Sequence, residues 1–387
     1  MCPTRSSHIL SVSMKTTPQN QPQSSRRSDV IQPGEGSGAR HLRTRSIAYM
    51  LLFSCAVANA QQYSIQQSNT QESLRGISVV TSQIVWASGT HGTYLRTTDG
   101  GSTWNSAQVP GATDLDFRDV EAFSANEAYL LAAGPGEQSR IYKTRDGGKT
   151  WALQFTNHDP KGFLDCMAFW DEKHGIAVGD PLPTASGEVK FELIATNDGG
   201  SHWETLPQDG LPPSMTGEGA FAASGTCIAT QGRKNAWFVT GGKAARVFRT
   251  ADRGLHWQVS EAPIAHGAES AGIFSIAFRD HKHGVIVGGD YKLPTQGGAN
   301  IAFTSDGGRT WHLGGPTPQY YFSGVTFWDR RKSLLMVGTS HAVAATDGGL
   351  SWQKVFDLNL NAVASDRQGN AFGVGPKGTI VRFRAAK

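Results

Sequence analysis

The sequence predicts an all-β fold arranged as a seven-bladed β-propeller, and three observations carry that reading. The first is a box with a central aspartate that occurs six times, as TTDGGSTW, TRDGGKTW, TNDGGSHW, TADRGLHW, TSDGGRTW and ATDGGLSW. Its aspartates are Asp99, Asp146, Asp198, Asp252, Asp306 and Asp347, spaced by 47, 52, 54, 54 and 41 residues. A repeat of that length with turn signals inside it suits four short strands per unit, the content of a propeller blade. The second is composition: 46 glycines and 10 tryptophans in 387 residues, with few helix-favouring runs, fit short strands joined by tight turns. The third is a count of seven stackable apolar segments, one more than the boxes.

The chain opens on segments that precede the repeat. Residues 1–40 are rich in Ser, Pro, Gln and Arg and too poor in apolar side chains to fold, so a disordered leader is expected there. Residues 41–60 then read as a signal peptide. Arg43 and Arg45 precede an apolar run from Ile47 to Val57, and Ala58-Asn59-Ala60 is a small-residue cleavage site. The run is short for a membrane-spanning helix. Export to the periplasm or the exterior is therefore expected, with no integral span left after cleavage. Lipid anchoring at Cys55 is disfavoured by Phe53 in the preceding Leu52-Phe53-Ser54.

Charge belongs mostly to that leader. The formal net charge is +4, but residues 1–60 hold seven Lys/Arg and two acids, and the remainder carries 29 basic against 30 acidic residues. A nucleic-acid partner is not expected from such a balance.

Residues 61–387 are expected to form the propeller. In the first unit GISVV and IVWASG are apolar runs, TYLRTT alternates, a glycine turn follows, and TWNSAQV alternates again. The segments that begin each unit stack as LRGISVV (74–80), FRDVEAF (117–123), FLDCMAF (163–169), SGTCIAT (224–230), GIFSIAF (272–278), YFSGVTF (321–327) and NLNAVAS (359–365). Small residues dominate the sixth column and bulky ones the seventh, the taper an innermost strand requires. The last unit ends one strand short at Lys387, and YSIQQSN (63–69) can supply that strand. The N-terminal strand is thus expected to join the last blade and close the ring, which removes exposed sheet edges.

The boxes read as hairpin clamps. Each aspartate can accept hydrogen bonds from turn amides, each glycine supplies a positive φ, and each following tryptophan can bury its ring between blades. Carboxylates that occur once per blade are spread around a ring and do not converge, so a structural role is expected for all six. Ala345 stands in the sixth copy where the others have Thr, which makes that hydroxyl dispensable.

These six boxes resemble the Asp-box, or BNR-repeat, superfamily. The seven-unit count together with HGIAVGD (174–180) and HGVIVGGD (283–290) looks most like the photosystem II stability/assembly factor family and its relatives in non-photosynthetic bacteria. The resemblance implies a non-catalytic propeller that binds a protein partner. The same superfamily holds sialidases and xyloglucan-hydrolysing glycosidases, so a glycoside hydrolase or glycan-binding propeller is the alternative.

Enzyme signatures are sparse. The Phe-Arg-Ile-Pro motif of sialidases is absent, and Phe117-Arg118-Asp119-Val120 is the nearest segment. Xyloglucan hydrolases use two facing propellers, and this chain has residues for one. A paired-carboxylate hydrolase would rest on Asp119 and Asp165, stacked in the third column. Two G-x-G-x-x-A matches, at 34–39 and 217–222, lack the βαβ context that phosphate binding needs, so no cofactor is expected. His174 and His283 recur before glycine, which marks a repeated turn and no metal site.

Cys166 and Cys227 share the fourth column of adjacent strands. Their proximity allows a disulfide, whereas a common register points both side chains the same way and favours two buried thiols. The candidate binding face is the channel mouth, where Arg75, Arg118, Asp119, Asp165, Glu218, His266, Glu269, Tyr320 and Tyr321 fall. Arg75 and Arg118 on adjacent blades suggest an anionic partner group, unless each pairs with a nearby acid. Pro/Gly-rich insertions at 180–192, 206–221 and 290–300 lengthen units three to five and are the other candidates.

Overall fold

The computed structural model describes residues 62–384, so the expected leader, the signal peptide and Cys55 lie outside the described residues. Seven antiparallel sheets follow one another along the chain, with a single 3-10 turn at Gly136–Gln138. Their innermost strands are Leu74–Val79, Phe117–Ala122, Leu164–Phe169, Ile228–Gln231, Ala271–Phe278, Gly324–Phe327 and Ala362–Ser365. Each packs beside the innermost strand of the next blade, and Leu74–Val79 meets Ala362–Ser365. Six blades run outward through four strands of their own unit in chain order, with Gly241–Gly242 interposed in the fourth. The seventh does not: Gln62–Gln66 pairs antiparallel with Ile380–Arg384 as its outermost strand.

That arrangement explains six boxes for seven blades. A box forms the turn between a blade's third and fourth strands, and in the seventh blade those strands come from opposite chain ends. There is no turn to clamp.

The core lies between blades. Six apolar clusters each span neighbouring sheets, and the one joining first and last blades gathers Leu74, Val85, Leu95 and Trp104 with Phe372, Val374 and Ile380. Trp86 and Trp328 are fully buried in two other layers. Truncating a ring of that kind to alanine costs about 3–5 kcal/mol, so each layer alone holds its pair of blades firmly.

Every box carboxylate is consumed in its own turn. Asp99 Oδ1 accepts from the Thr103 amide at 2.9 Å and the Thr97 hydroxyl at 2.8 Å, and Oδ2 accepts from the Thr103 hydroxyl at 2.6 Å. The bonds from Thr103 hold this carboxyl at about 2. Thr97 Oγ1 in turn accepts the Gly101 amide at 2.9 Å. In the sixth box Ala345 offers no hydroxyl, and Asp347 Oδ1 itself accepts the Gly349 amide at 3.2 Å. The two central glycines of the first box have φ of 71° and 83°, which a side chain resists.

The structure corrects the stacking of the inner strands. In blades one and two the residue after Leu74 and Phe117 is a bulge: Leu74 pairs with Gly89 and Gly76 with Ser88, while Phe117 pairs with Ala132 and Asp119 with Leu131. In blades three and five the bulged residues are Asp165 and Phe274. Arg75, Arg118, Asp165 and Phe274 are therefore equivalent, and Asp119 matches Cys166 instead of Asp165. The hairpins fix the register, because the Phe123 amide bonds Glu127 as the Trp170 amide bonds His174. Aligning Phe123 with Phe169 by bulk slipped the first two units by one residue, which exchanges faces. The small-residue column is Ser78, Glu121, Ala168, Ala229, Ala277, Thr326 and Ala364, so a carboxylate stands in a row of small side chains.

Cys166 and Cys227 are joined in a disulfide, with Cα atoms 6.0 Å apart. Two separate thiols would require strand alternation at both cysteines. Cys227 lies in a bend before its strand begins at Ile228, and so is free to turn toward Cys166.

Candidate functional site

One insertion shapes the channel mouth. After a two-residue outer strand in blade three, the chain crosses toward the axis. There Glu218–Gly219 pairs with Gly241–Gly242, which pairs in turn with Gly272 and widens blade five to six strands. The segment then reaches across the mouth. The carbonyl of Ala222 accepts from Arg118 of blade two at 3.1 Å, and the Ser224 hydroxyl donates to the carbonyl of Ser323 in blade six at 2.8 Å. Residues 221–226 thus form a plug that touches opposite sides of the ring.

Two anchors fix the plug. The buried Glu218 carboxylate pairs with Arg246 through two contacts, one of them Nε to Oε1 at 2.8 Å, and accepts the Thr240 hydroxyl at 2.6 Å. At the other end Cys227 is bonded to Cys166. Glu218 therefore belongs to the scaffold and is not presented to a ligand.

Above the plug lies a cavity of about 390 Å³. Arg75 and Arg118 line one side of it. Phe221 and Phe274 stack at 4.0 Å, and Tyr321 meets Phe274 edge-on at 4.8 Å, forming an aromatic wall. Tyr291, from the 290–300 insertion, stands at the rim with 46% of its surface exposed.

The two arginines differ in how they are held. Arg118 Nε donates to Asp116 Oδ2 at 2.8 Å, so the acid two residues before it, and not the adjacent Asp119, is its partner. Arg75 makes no ion pair with the described residues, and its buried Nε finds no acceptor. Burial first, and then the charge of Arg118, disfavours the charged form of Arg75. The Thr339 hydroxyl in the same cavity is also unpartnered. A cationic fork, an unused hydroxyl and an aromatic wall together suit an anionic group on an apolar stem.

The other candidate residues separate from this cavity. Asp119 is 4% exposed and Asp165 1% exposed, so neither is open to a polymer. Asp119 Oδ2 accepts the Met167 amide at 2.7 Å, which spends it on blade packing. Asp165 keeps one oxygen without a partner, and burial, then Asp180, pushes its carboxyl well above the usual range. Glu269 is exposed beside Asp180 and Glu218, in a different recess. Tyr320 packs against His341 at 3.9 Å, while its neighbour Tyr321 enters the cavity. His266 is exposed, with Nδ1 2.8 Å from the Ile264 carbonyl.

Phe274, Thr339 and Asn361, which also line the cavity, carry no sequence signal of their own. Phe274 occupies the bulge position of Arg75 and Arg118, a relation visible only after the register is corrected. A larger groove of about 890 Å³ lies on the flank of blades two and three. Some of its charges are already engaged, Lys190 with Glu188 at 2.9 Å and Glu192 with Asn157 at 2.8 Å. Among the described residues no cluster of His, Cys, Asp and Glu could hold a metal ion, and no helix is long and apolar enough to cross a membrane.

Comparison with known proteins adds the following. The family described as Photosynthesis system II assembly factor YCF48 matches residues 55–161. The photosystem II stability/assembly factor HCF136, chloroplastic, of Arabidopsis thaliana is 23% identical over 194 residues, which are 48% of this chain and 45% of that protein. The chain thus spans under half the length of that relative. YCF48 bound to D1 peptide and YCF48 from Cyanidioschyzon merolae each superpose with a TM-score of 0.57 at 19% identity, over 83% of this chain and 96% and 98% of theirs. U3-55K superposes with the same score at 12% identity, over 83% of this chain and 98% of that one, so overall shape alone does not choose a function. The repeats, the seven blades and the sequence matches together make this chain a BNR-type propeller similar to photosystem II assembly factors.

Proposed function

We propose that this BNR-type propeller, similar to photosystem II assembly factors, is an exported, non-catalytic protein that binds a protein partner at its plugged mouth and serves as an assembly or stability factor. The observation that carries the reading is Arg75. Arg118 is held by Asp116, whereas the half-buried guanidinium of Arg75 beside it has no ion-pair partner among the described residues, and an incoming carboxylate would supply one. A solved relative described as bound to D1 peptide supports a polypeptide as the ligand class. Its anionic group would rest between Arg75 and Arg118, and an apolar side chain would lie against Phe221, Phe274 and Tyr291. Residues 41–60 are removed after Ala60 in this reading, which leaves one residue before the first strand at Gln62.

The test is affinity capture from the native host with the wild-type chain and an Arg75→Glu variant. The Arg75 side chain makes no ion pair or hydrogen bond with the described residues, so the variant should melt normally and lose a stable partner by at least about tenfold, as expected when a like charge enters an ion-pair site. Retention of the same partner by Arg75→Glu overturns the proposal. So does release of reducing sugar from a glycan panel that Asp165→Asn abolishes. Amino-terminal sequencing of the mature protein should begin at Gln61.

A further inference from the structure

The end of the ring opposite the plugged mouth carries an asymmetry that the binding site does not use. In blades one to six two turns project there, the turn after the innermost strand and the box, and in blades four and five a backbone hydrogen bond joins them. The Arg253 amide donates to the Lys234 carbonyl at 3.0 Å, and the Gly307 amide to the Lys282 carbonyl at 2.9 Å. Blades five and six are linked the same way, because Arg279 Nη1 donates to the Arg331 carbonyl at 3.1 Å. These turns therefore form one continuous surface.

Their charge changes halfway round. In blades four to six the turns 231–235, 279–283 and 328–333 with their boxes hold nine Lys/Arg and five aspartates, a balance of +4. In blades one to three the equivalent turns 80–84, 123–127 and 170–174 with their boxes hold three Lys/Arg and six acids, a balance of −3. The box aspartates sit inside their turns, whereas Arg233, Lys234, Lys282, Arg330, Arg331 and Lys332 are exposed. The positive half thus presents its cations outward.

A second observation comes from the tips of the boxes. The residue after the last glycine reads Ser102, Lys149, Ser201, Leu255, Arg309 and Leu350. Both leucines fall in the basic half. Leu350 is 75% exposed and Leu255 48% exposed. A single exposed leucine on a protein surface is ordinary. Leu255 borders a recess with Leu206 and Pro207 and Leu350 stands clear, yet serine fills the same place in the first and third boxes, so the turn itself does not require leucine.

We propose that the box face of blades four to six docks on an anionic lipid bilayer, with the cations at the headgroups and Leu255 and Leu350 entering the interface. Basic side chains near a charged leaflet and apolar tips inserted at its boundary are the two terms of peripheral membrane attachment. A nucleic acid would use the cations and leave the leucines in water, whereas a bilayer takes up both. The mouth, on the opposite end, would then face away from the membrane. This inference stands apart from the mouth reading, because no residue is shared.

The experiment is fast amide hydrogen exchange on the full chain with vesicles of phosphatidylcholine, with and without phosphatidylglycerol. Slowing is expected only with phosphatidylglycerol, in the boxes of blades four to six and in 328–333, and not in the boxes of blades one and three. High salt should remove it, and Leu255→Ser with Leu350→Ser should weaken the local protection about tenfold per leucine. Reading protection locally keeps any lipid contact of residues 1–60 out of the answer. No slowing in blades four to six, equal slowing in all boxes, or protection indifferent to the two leucine changes would overturn the inference. Stronger local slowing by duplex DNA than by vesicles would overturn it too.

Discussion

Glu121 stands in the row of small side chains on the innermost strands, two residues from Asp119 on the same face. Burial pushes its carboxyl up to about 7, and burial first, then the charge of Glu121, raises Asp119 well above the usual range. A carboxyl with a raised folded pKa binds its proton more tightly in the folded state than in the unfolded one. Its contribution is therefore fully present below the unfolded value, 4.5, and is lost as pH rises through about 7. The box aspartates run the other way. Asp99, held at about 2 by Thr103, contributes above its unfolded value of 3.8 and loses that contribution as pH falls toward 2. Stability should thus decline on both sides of a maximum in the acid range. Glu121→Gln should flatten the upper limb between pH 4.5 and 7 and raise the melting temperature at pH 8, which a thermal melt series across pH would show. An unchanged upper limb would mean that water reaches this carboxyl freely.

At the scale of the element, the boxes were legible because each is a local device. Thr, Asp and Gly positions four residues apart bond one another, so sequence spacing is structural spacing. Inner strands were less legible, since one bulged residue shifts the side chains that precede it and apolar pattern alone does not reveal where it sits. That is why Asp119 was paired with Asp165, and why Phe274 went unnoticed beside Arg75 and Arg118. The plug is split in the sequence between the insertion at 206–221 and the segment 224–230 stacked as an inner strand, because its bonds reach Arg118 and Ser323, about 100 residues away in either direction. The disulfide that ends this plug links positions 61 apart. Replacing both Cys166 and Cys227 by alanine should cost about 2–4 kcal/mol, because a long loop of the unfolded chain is released. Hydrogen exchange should quicken at 221–226 before it does in blades one and seven. Uniform loss across all blades would show that the bridge braces the ring and not the plug.

Across the whole molecule, closure depends on one strand that no hairpin tethers. In six blades the outer strand follows its box directly. In the seventh, Gln62–Gln66 arrives from the far end of the chain and pairs through five residues with Ile380–Arg384. Side chains reinforce it on both flanks: Tyr63 stacks on Phe356 of blade six at 4.7 Å, and Trp104 Nε1 of blade one donates to Gln66 Oε1 at 2.9 Å. Removing residues 62–66 would leave Ile380–Arg384 as a bare edge while the apolar layer between first and last blades persisted. An uncovered edge of that kind recruits another strand. A chain that begins at Gln67 should therefore keep its all-β circular dichroism, melt lower and self-associate in a concentration-dependent way. Light scattering on a sizing column would show this, and a synthetic peptide of residues 62–66 in excess should reverse it by occupying the edge. A truncated chain that stays monomeric with an unaltered melt would place the closure energy in the apolar layer alone. The N-terminal strand would then be a cover for the edge and not the latch of the ring.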